Sequence, residues 1–240
     1  MNRATILIPT TGAPVVRQAI QSCLAQSYGD LQVLAVLDGS QHRDEFAAST
    51  EGLRDARYES VVLPENVGAE NYYGHRIYGG FSHMVNAHYL LFLDQDNFFD
   101  PDHVSSQVEN IEKNGVDWSY SLRKVCDLNG NFVARDDSES LGTWPSLGGY
   151  RLIDTNCYCL KLQAAIGIAA IWFGKWGRDR RVAEALIKVF PKYGCTGRYT
   201  VNYRLRDEEG HKFFIGGGKR MREDYPDGFP WTRKEESAKP

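Results

Sequence analysis

Apolar positions in the first hundred residues fall into short runs at 4–9, 31–37, 58–63 and 89–93, each closed by turn residues. The first run stops at Pro9-Thr10-Thr11-Gly12 and the second at Asp38-Gly39-Ser40. The third stops at Pro64-Glu65-Asn66-Val67-Gly68 and the fourth at Asp94. Runs of this length bounded by turn signals predict strands buried on both faces. Between them the spacing becomes helical: Val16, Ala19, Ile20, Cys23 and Leu24 share one face over 15–26, and a second helix is expected over 72–87. Strands alternating with helices predict an α/β fold with a mostly parallel central sheet flanked by helices. Open sheets of this kind bind ligands at the carboxyl ends of their strands. Thr10, Thr11, Asp38, Asn66, Asp94 and Asp96 are therefore expected to converge on one crevice.

The second half is less regular. Helices are expected over 102–113 and 180–189, strands over 118–127, 152–160 and 199–205, and a hairpin turn at Leu128-Asn129-Gly130-Asn131. Residues 136–149, rich in Asp, Ser and Gly, read as a mobile loop carrying Trp144. The apolar stretch 164–174 is too short to span a bilayer, which takes about 20 residues. A buried helix suits it better than a membrane-surface segment, because no Lys/Arg-rich amphipathic face accompanies it, but peripheral membrane contact stays open. A single domain is expected over 1–215, with halves 1–100 and 101–215, followed by a flexible arm over 216–240. Within that arm Gly216-Gly217-Gly218-Lys219 lacks the G-x-x-x-x-G-K-[ST] pattern of a phosphate loop, although Lys219, Arg220 and Arg222 could close over a diphosphate.

Composition narrows the classes. A net charge of −3 gives no broad attraction to nucleic acid. Five scattered cysteines argue against a disulfide framework and for a reducing compartment. Cys157-Tyr158-Cys159 has no second pair to complete a zinc site, and strand alternation explains it. Met1-Asn2-Arg3 leads straight into a strand, with no secretory signal, so a cytoplasmic protein is expected.

Asp94-Gln95-Asp96 carries the sharpest chemistry. Residues i and i+2 of a strand face the same side, so both carboxylates can address one site. Paired carboxylates suit a hard cation, Mn²⁺ or Mg²⁺, that leaves coordination positions for phosphate oxygens and water. By itself Asp-x-Asp also fits a solvated loop; the strand-end position favours the metal. Asp38 fits either a ligand contact or a plain Asp-Gly turn.

The ordered set of motifs resembles the family 2 glycosyltransferases of the GT-A fold. It comprises Ile8-Pro9-Thr10-Thr11, Gln26-Ser27-Tyr28, Val36-Leu37-Asp38-Gly39-Ser40, Glu65-Asn66-Val67-Gly68, Gly74-His75-Arg76 and Leu93-Asp94-Gln95-Asp96-Asn97, with the likeness running over about residues 4–205. The resemblance implies a metal-dependent inverting transfer of a sugar from a nucleotide-sugar donor to a glycan or other hydroxyl acceptor, in glycan or polysaccharide synthesis. It places Pro9, Thr10, Thr11, Asp38, Asn66, Arg76, Asp94 and Gln95 on the donor, Arg76 either approaching the diphosphate or staying near Asp38. It places Asp94 and Asp96 at the metal, Asp96 the more direct ligand, with His211 as a candidate third. The family shows Ala-Arg-Asn where this chain has His75-Arg76-Ile77, and Glu-Asp where it has Arg178-Asp179.

Inverting transfer needs a carboxylate to take the acceptor proton. Asp179, in Trp176-Gly177-Arg178-Asp179-Arg180, is the candidate, with Asp154 as runner-up. Asp179 also fits a cap on the following helix, and the two roles can coexist. Trp144 and Trp176 are candidates for stacking on a sugar face, whereas Trp172 is expected in the core. A sugar nucleotidyltransferase also uses paired aspartates, but it would carry a basic Gly-rich loop after the first strand; here no Lys or Arg precedes Arg17 in that loop. A non-catalytic nucleotide-sugar or glycan-binding domain is the remaining alternative.

Overall fold

The computed structural model describes residues 3–136, 140–142, 152–175 and 177–205. The first half is built as the apolar runs predict. Strand β1 (Ala4–Thr10) is followed by helix α1 (Val16–Leu24), β2 (Leu31–Leu37), helix α2 (Arg43–Thr50), β3 (Tyr58–Val62), helix α3 (His75–Phe81) and β4 (Tyr89–Phe92). β1 lies between β2 and β4, β3 lies outside β2, and all three pairings are parallel. Every residue of β1 and β4 is buried, which explains why their sequences do not alternate. α1 packs Val16, Ala19, Ile20 and Cys23 inward, the spacing of a single helical face.

Beyond β4 the strand directions mix. β5 (Phe98–Phe99), α4 (His103–Asn114), β6 (Trp118–Cys126), β7 (Phe132–Arg135), β8 (Tyr158–Lys161), α5 (Leu162–Ile168), α6 (Arg178–Val189) and β9 (Tyr193–Arg204) complete the described elements. The sheet runs β3-β2-β1-β4-β8-β6-β9-β5, with β7 paired to β6. β8 is antiparallel to β4 and β6, and β5 to β9, whereas β9 runs parallel to β6.

Three segments differ from the sequence expectation, each for a local reason. The helix expected over 72–87 spans only His75–Phe81. Ahead of it, Glu70, Asn71 and Tyr73 take left-handed backbone angles, so the chain there is a wound loop. The strand expected over 152–160 begins only at Tyr158, because the Asp154 side chain accepts the Asn156 N–H and winds Thr155–Cys157 into a 3₁₀ turn. Helix α6 begins at Arg178, after Gly177 at φ +86°, so Asp179 sits inside the first turn and is not its cap. The stretch 164–174 forms the end of α5 and a 3₁₀ turn at Ala169–Trp172. Trp172 is fully buried among Tyr78, Phe92 and His75, as core packing requires. No helix among the described residues is long and apolar enough to cross a membrane.

His103 shows the cost of a buried titratable group. It is fully buried at the start of α4, stacked on Phe99 at 3.8 Å, with Nδ1 2.8 Å from the Thr200 hydroxyl. Burial lowers its pKa to about 3. The unfolded chain takes up this proton near the ordinary histidine value, so stability present at neutral pH is lost as pH falls below about 6.5, by about 1.4 kcal/mol per pH unit at most. His103→Leu is expected to flatten this slope in urea denaturation between about pH 7 and about pH 5. Equal slopes in the two proteins would refute it.

Candidate active site

The parallel register delivers the site. Thr10 pairs with Leu37, and Leu37 with Val62, so the residues following β1, β2 and β3 emerge at one edge. Phe92 pairs with Leu7, which brings Asp94 to the same edge. A cavity of ≈ 610 Å³ opens there, bounded by Pro9, Thr10, Thr11, Asp38, Asn66 and Asp94–Asn97. Asp154, Asp179 and the end of β9 also line it. The structure thus gathers Pro9, Thr10, Thr11, Asp38, Asn66, Asp94, Gln95, Asp96, Asp154 and Asp179 around one space.

Several of these side chains are spoken for within the protein. The Gln95 carbonyl oxygen accepts from the Thr10 hydroxyl at 2.6 Å and from Thr11 N–H at 3.1 Å, and its amide nitrogen donates to the Thr11 hydroxyl at 3.3 Å. Gln95 thereby ties the end of β4 to the end of β1. The buried Asp38 carboxylate accepts Val67 N–H at 2.7 Å and Gly68 N–H at 2.8 Å, fixing the loop after β3 against β2. Neither a bare turn nor a ligand contact describes it fully. Burial raises the Asp38 pKa, and the two N–H groups oppose that rise. Gly68 is required there: a Cβ would lie 2.3 Å from the Tyr73 carbonyl oxygen and 2.5 Å from Asp38 Oδ2. Arg76 donates to the Val67 carbonyl oxygen at 3.1 Å and stacks on Tyr72 at 3.5 Å. It belongs to the Asp38 loop, and it is absent from the cavity lining.

The two aspartates of the sequence motif have different surroundings. Asp94 accepts from the Tyr78 hydroxyl at 2.7 Å and from the Asn156 amide at 3.0 Å, while its own N–H donates to Asn156 Oδ1 at 2.6 Å. Burial, then the nearby carboxylates of Asp96 and Asp154, push its pKa up to about 7. Asp96 is half-buried, and like Asp94 it lines the cavity. Its backbone is held by Arg204, which donates to the Asp96 carbonyl oxygen at 2.6 Å and, through its N–H, to Asn97 Oδ1 at 2.9 Å. Among the described residues no group of three or more His, Cys, Asp or Glu side chains is placed to hold a metal ion. His211 lies outside the described residues, as do Trp144 and Trp176. The donor set present suits a hard cation that takes one or two carboxylates and completes its shell with water and substrate phosphate oxygens.

Asp154, bridged to Asp94 by Asn156, is committed to an ion pair. Its Oδ2 accepts from Arg123 at 2.7 Å and its Oδ1 accepts from Asn156 N–H and side-chain N–H₂. With both oxygens so engaged, Asp154 is less available as a proton acceptor. Asp179 accepts only the Arg180 N–H among the bonds its oxygens are seen to make, at 2.9 Å. Its pKa is raised by burial first and by Asp154 second, and Arg180 and His75 oppose the rise. His75 also lines the cavity; its Nδ1 meets the Gly174 carbonyl oxygen at 2.9 Å and so carries the proton. Burial lowers its pKa.

Sequence reading gave no role to Tyr78, His75, Arg123, Asn156 or Arg204. His75 lies in the motif Gly74-His75-Arg76 and Asn156 two residues from the candidate Asp154, and polar residues beside such positions are the available signal. Arg123, in the middle of a strand, offered none.

The mixed α/β sheet with its strand-end cavity is a GT-A-type fold, and comparisons with known proteins agree. The model of "Glycosyl transferase family 2" matches residues 5–176, and the chain belongs to that family. An uncharacterized glycosyltransferase of Haemophilus influenzae is 28% identical over 130 residues, which is 54% of this chain and 50% of that protein. One from Rickettsia bellii is 28% identical over 153 residues, 60% of this chain but 20% of that protein. The chain therefore spans half or less of these relatives. Among solved structures, S. aureus TarS 1-349 in complex with UDP-GlcNAc has the same fold, with a TM-score of 0.64 at 12% identity over 97% of this chain and 69% of that one.

Proposed function

We propose that this chain forms the donor site and catalytic centre of a metal-dependent, inverting glycosyltransferase that moves a sugar from a nucleotide donor to a hydroxyl acceptor in glycan or polysaccharide synthesis. The observation that carries the reading is the convergence of Thr10, Thr11, Asp38, Asp94 and Asp96 with Asp179 on one cavity. Asp96, backed by Asp94, would hold Mn²⁺ or Mg²⁺, which neutralises the charge on the departing nucleoside diphosphate. The Thr10–Thr11 turn and the Asp38-anchored loop shape the nucleotide side. Asp179 takes the proton from the acceptor hydroxyl as its oxygen bonds to the anomeric carbon. The bond from that carbon to the diphosphate oxygen breaks and its electron pair leaves with the diphosphate. The raised pKa of Asp179 favours proton uptake, as a base requires. All five cysteines are free thiols, which fits a reducing, cytoplasmic place of action.

The test is a panel of nucleotide sugars with Mn²⁺, begun with UDP-linked sugars because TarS was solved with UDP-GlcNAc and with UDP. Release of nucleoside diphosphate, dependent on Mn²⁺, is expected from at least one donor. Metal-dependent binding without release, whatever acceptor is added, would favour a non-catalytic donor-binding domain.

A further inference from the structure

Arg123 lies in the middle of β6, 3% exposed, and joins two walls of the molecule. Its Nε donates to Asp136 Oδ2 at 2.6 Å and its terminal nitrogen to Asp154 Oδ2 at 2.7 Å. Both carboxylates are buried, and the guanidinium also packs over the Tyr203 ring at 4.3 Å. Tyr203 itself borders the cavity. From Asp154 the bonds continue: its Oδ1 accepts the Asn156 backbone N–H at 2.9 Å and the Asn156 amide at 2.6 Å. The fully buried Asn156 in turn grips Asp94 from both ends, donating to Oδ2 and accepting the Asp94 N–H.

Buried charge needs a reason. Taking a guanidinium and two carboxylates out of water is costly, and apolar side chains would fill the space at lower cost. Here the arrangement has a geometric consequence. The Asn156 amide is oriented by Asp154, and Asp154 is oriented by Arg123, whose fork permits two donors in fixed directions. The relay ends on the carboxylate beside Asp96.

We propose that Arg123 is a positioning residue for the donor-metal corner: through Asp154 and Asn156 it fixes the carboxylate and the backbone N–H of Asp94. This rests on the glycosyltransferase reading for its function and on the hydrogen-bond chain for its geometry. Partners that orient a ligating side chain from behind ordinarily alter metal affinity by about 10- to 100-fold when removed.

Arg123→Lys keeps the charge but loses the fork, and Asn156→Ala cuts the relay while leaving the Arg123–Asp154 pair. Two readouts are needed. Crystal structures of the metal-free variants should show the Asp94 carboxylate displaced from Tyr78. In Mn²⁺ titrations followed by electron paramagnetic resonance with UDP present, the half-saturating Mn²⁺ concentration should rise by about tenfold or more. A merely structural ion pair would lower the melting temperature of Arg123→Lys and leave both readouts unchanged; that result would overturn the proposal, as would an unmoved Asp94 in a folded Asn156→Ala. If the wild-type chain shows no UDP-dependent Mn²⁺ binding, the glycosyltransferase reading fails, and the position of Asp94 in the variants alone decides the relay.

Discussion

Asp179→Asn is expected to bind donor as the wild-type chain does and to lose transfer, with kcat lower by about 10²- to 10⁴-fold, the range that general-base catalysis contributes. The amide is nearly the same size as the carboxylate, so the first turn of α6 can keep its shape. It cannot take a proton. The effect should therefore fall on kcat, while the donor KM changes little. The environment supports the assignment: the cavity wall, the partial burial and the neighbouring Asp154 all raise the proton affinity of Asp179. Asp154 differs because Arg123 and Asn156 occupy its oxygens. The corresponding change at Asp154 should lower thermal stability, since it leaves a buried guanidinium with one carboxylate partner fewer. Unchanged transfer by Asp179→Asn in steady-state assays would sink the base assignment.

Asp96→Ala is expected to abolish metal-dependent donor binding. Two considerations make this the larger loss at the metal corner. Asp94 already accepts from Tyr78 and Asn156, and burial with the neighbouring carboxylates raises its pKa to about 7. Asp96 also borders the cavity. A cation with few protein ligands depends strongly on each one, and the remaining shell must come from the diphosphate and water. The backbone at Asp96 is held independently by Arg204 and Asn97, so the alanine variant should retain the fold.

Much of this was legible from the sequence because parallel strands advertise themselves. β1, β2 and β4 are nearly continuous apolar runs, and their ends are marked by turn residues. Register then carries Thr10, Asp38 and Asp94 to one edge without further information. The second half resisted reading for physical reasons. β9 begins six residues before the expected 199–205 run, and β5 is two residues long. Helix α2 has a weakly amphipathic sequence with Phe46 its one buried residue, so periodicity gave no sign of it. The 3₁₀ turn at Thr155–Cys157 follows from one side-chain hydrogen bond, which an apolar pattern cannot show. In the site, the strand-end residues Thr10, Thr11, Asp38, Asn66, Asp94 and Asp96 were foreseeable, whereas His75, Tyr203 and Arg204 were not. Tyr78 at the cavity, and Asn156 and Arg123 behind it, were not, because their importance lies in pairings between distant parts of the chain. The roles expected of Trp144, Trp176, His211 and the arm over 216–240 lie outside the described residues.

The central claim is that Asp96 and its neighbours bind a nucleoside diphosphate through a divalent cation. The most direct measurement is calorimetric titration of UDP, and of other nucleoside diphosphates, into wild-type and Asp96→Ala chains with and without Mn²⁺. The account predicts binding that requires Mn²⁺ in the wild type and is lost in the variant. Binding that is equally strong without Mn²⁺, or unaffected by Asp96→Ala, would contradict it.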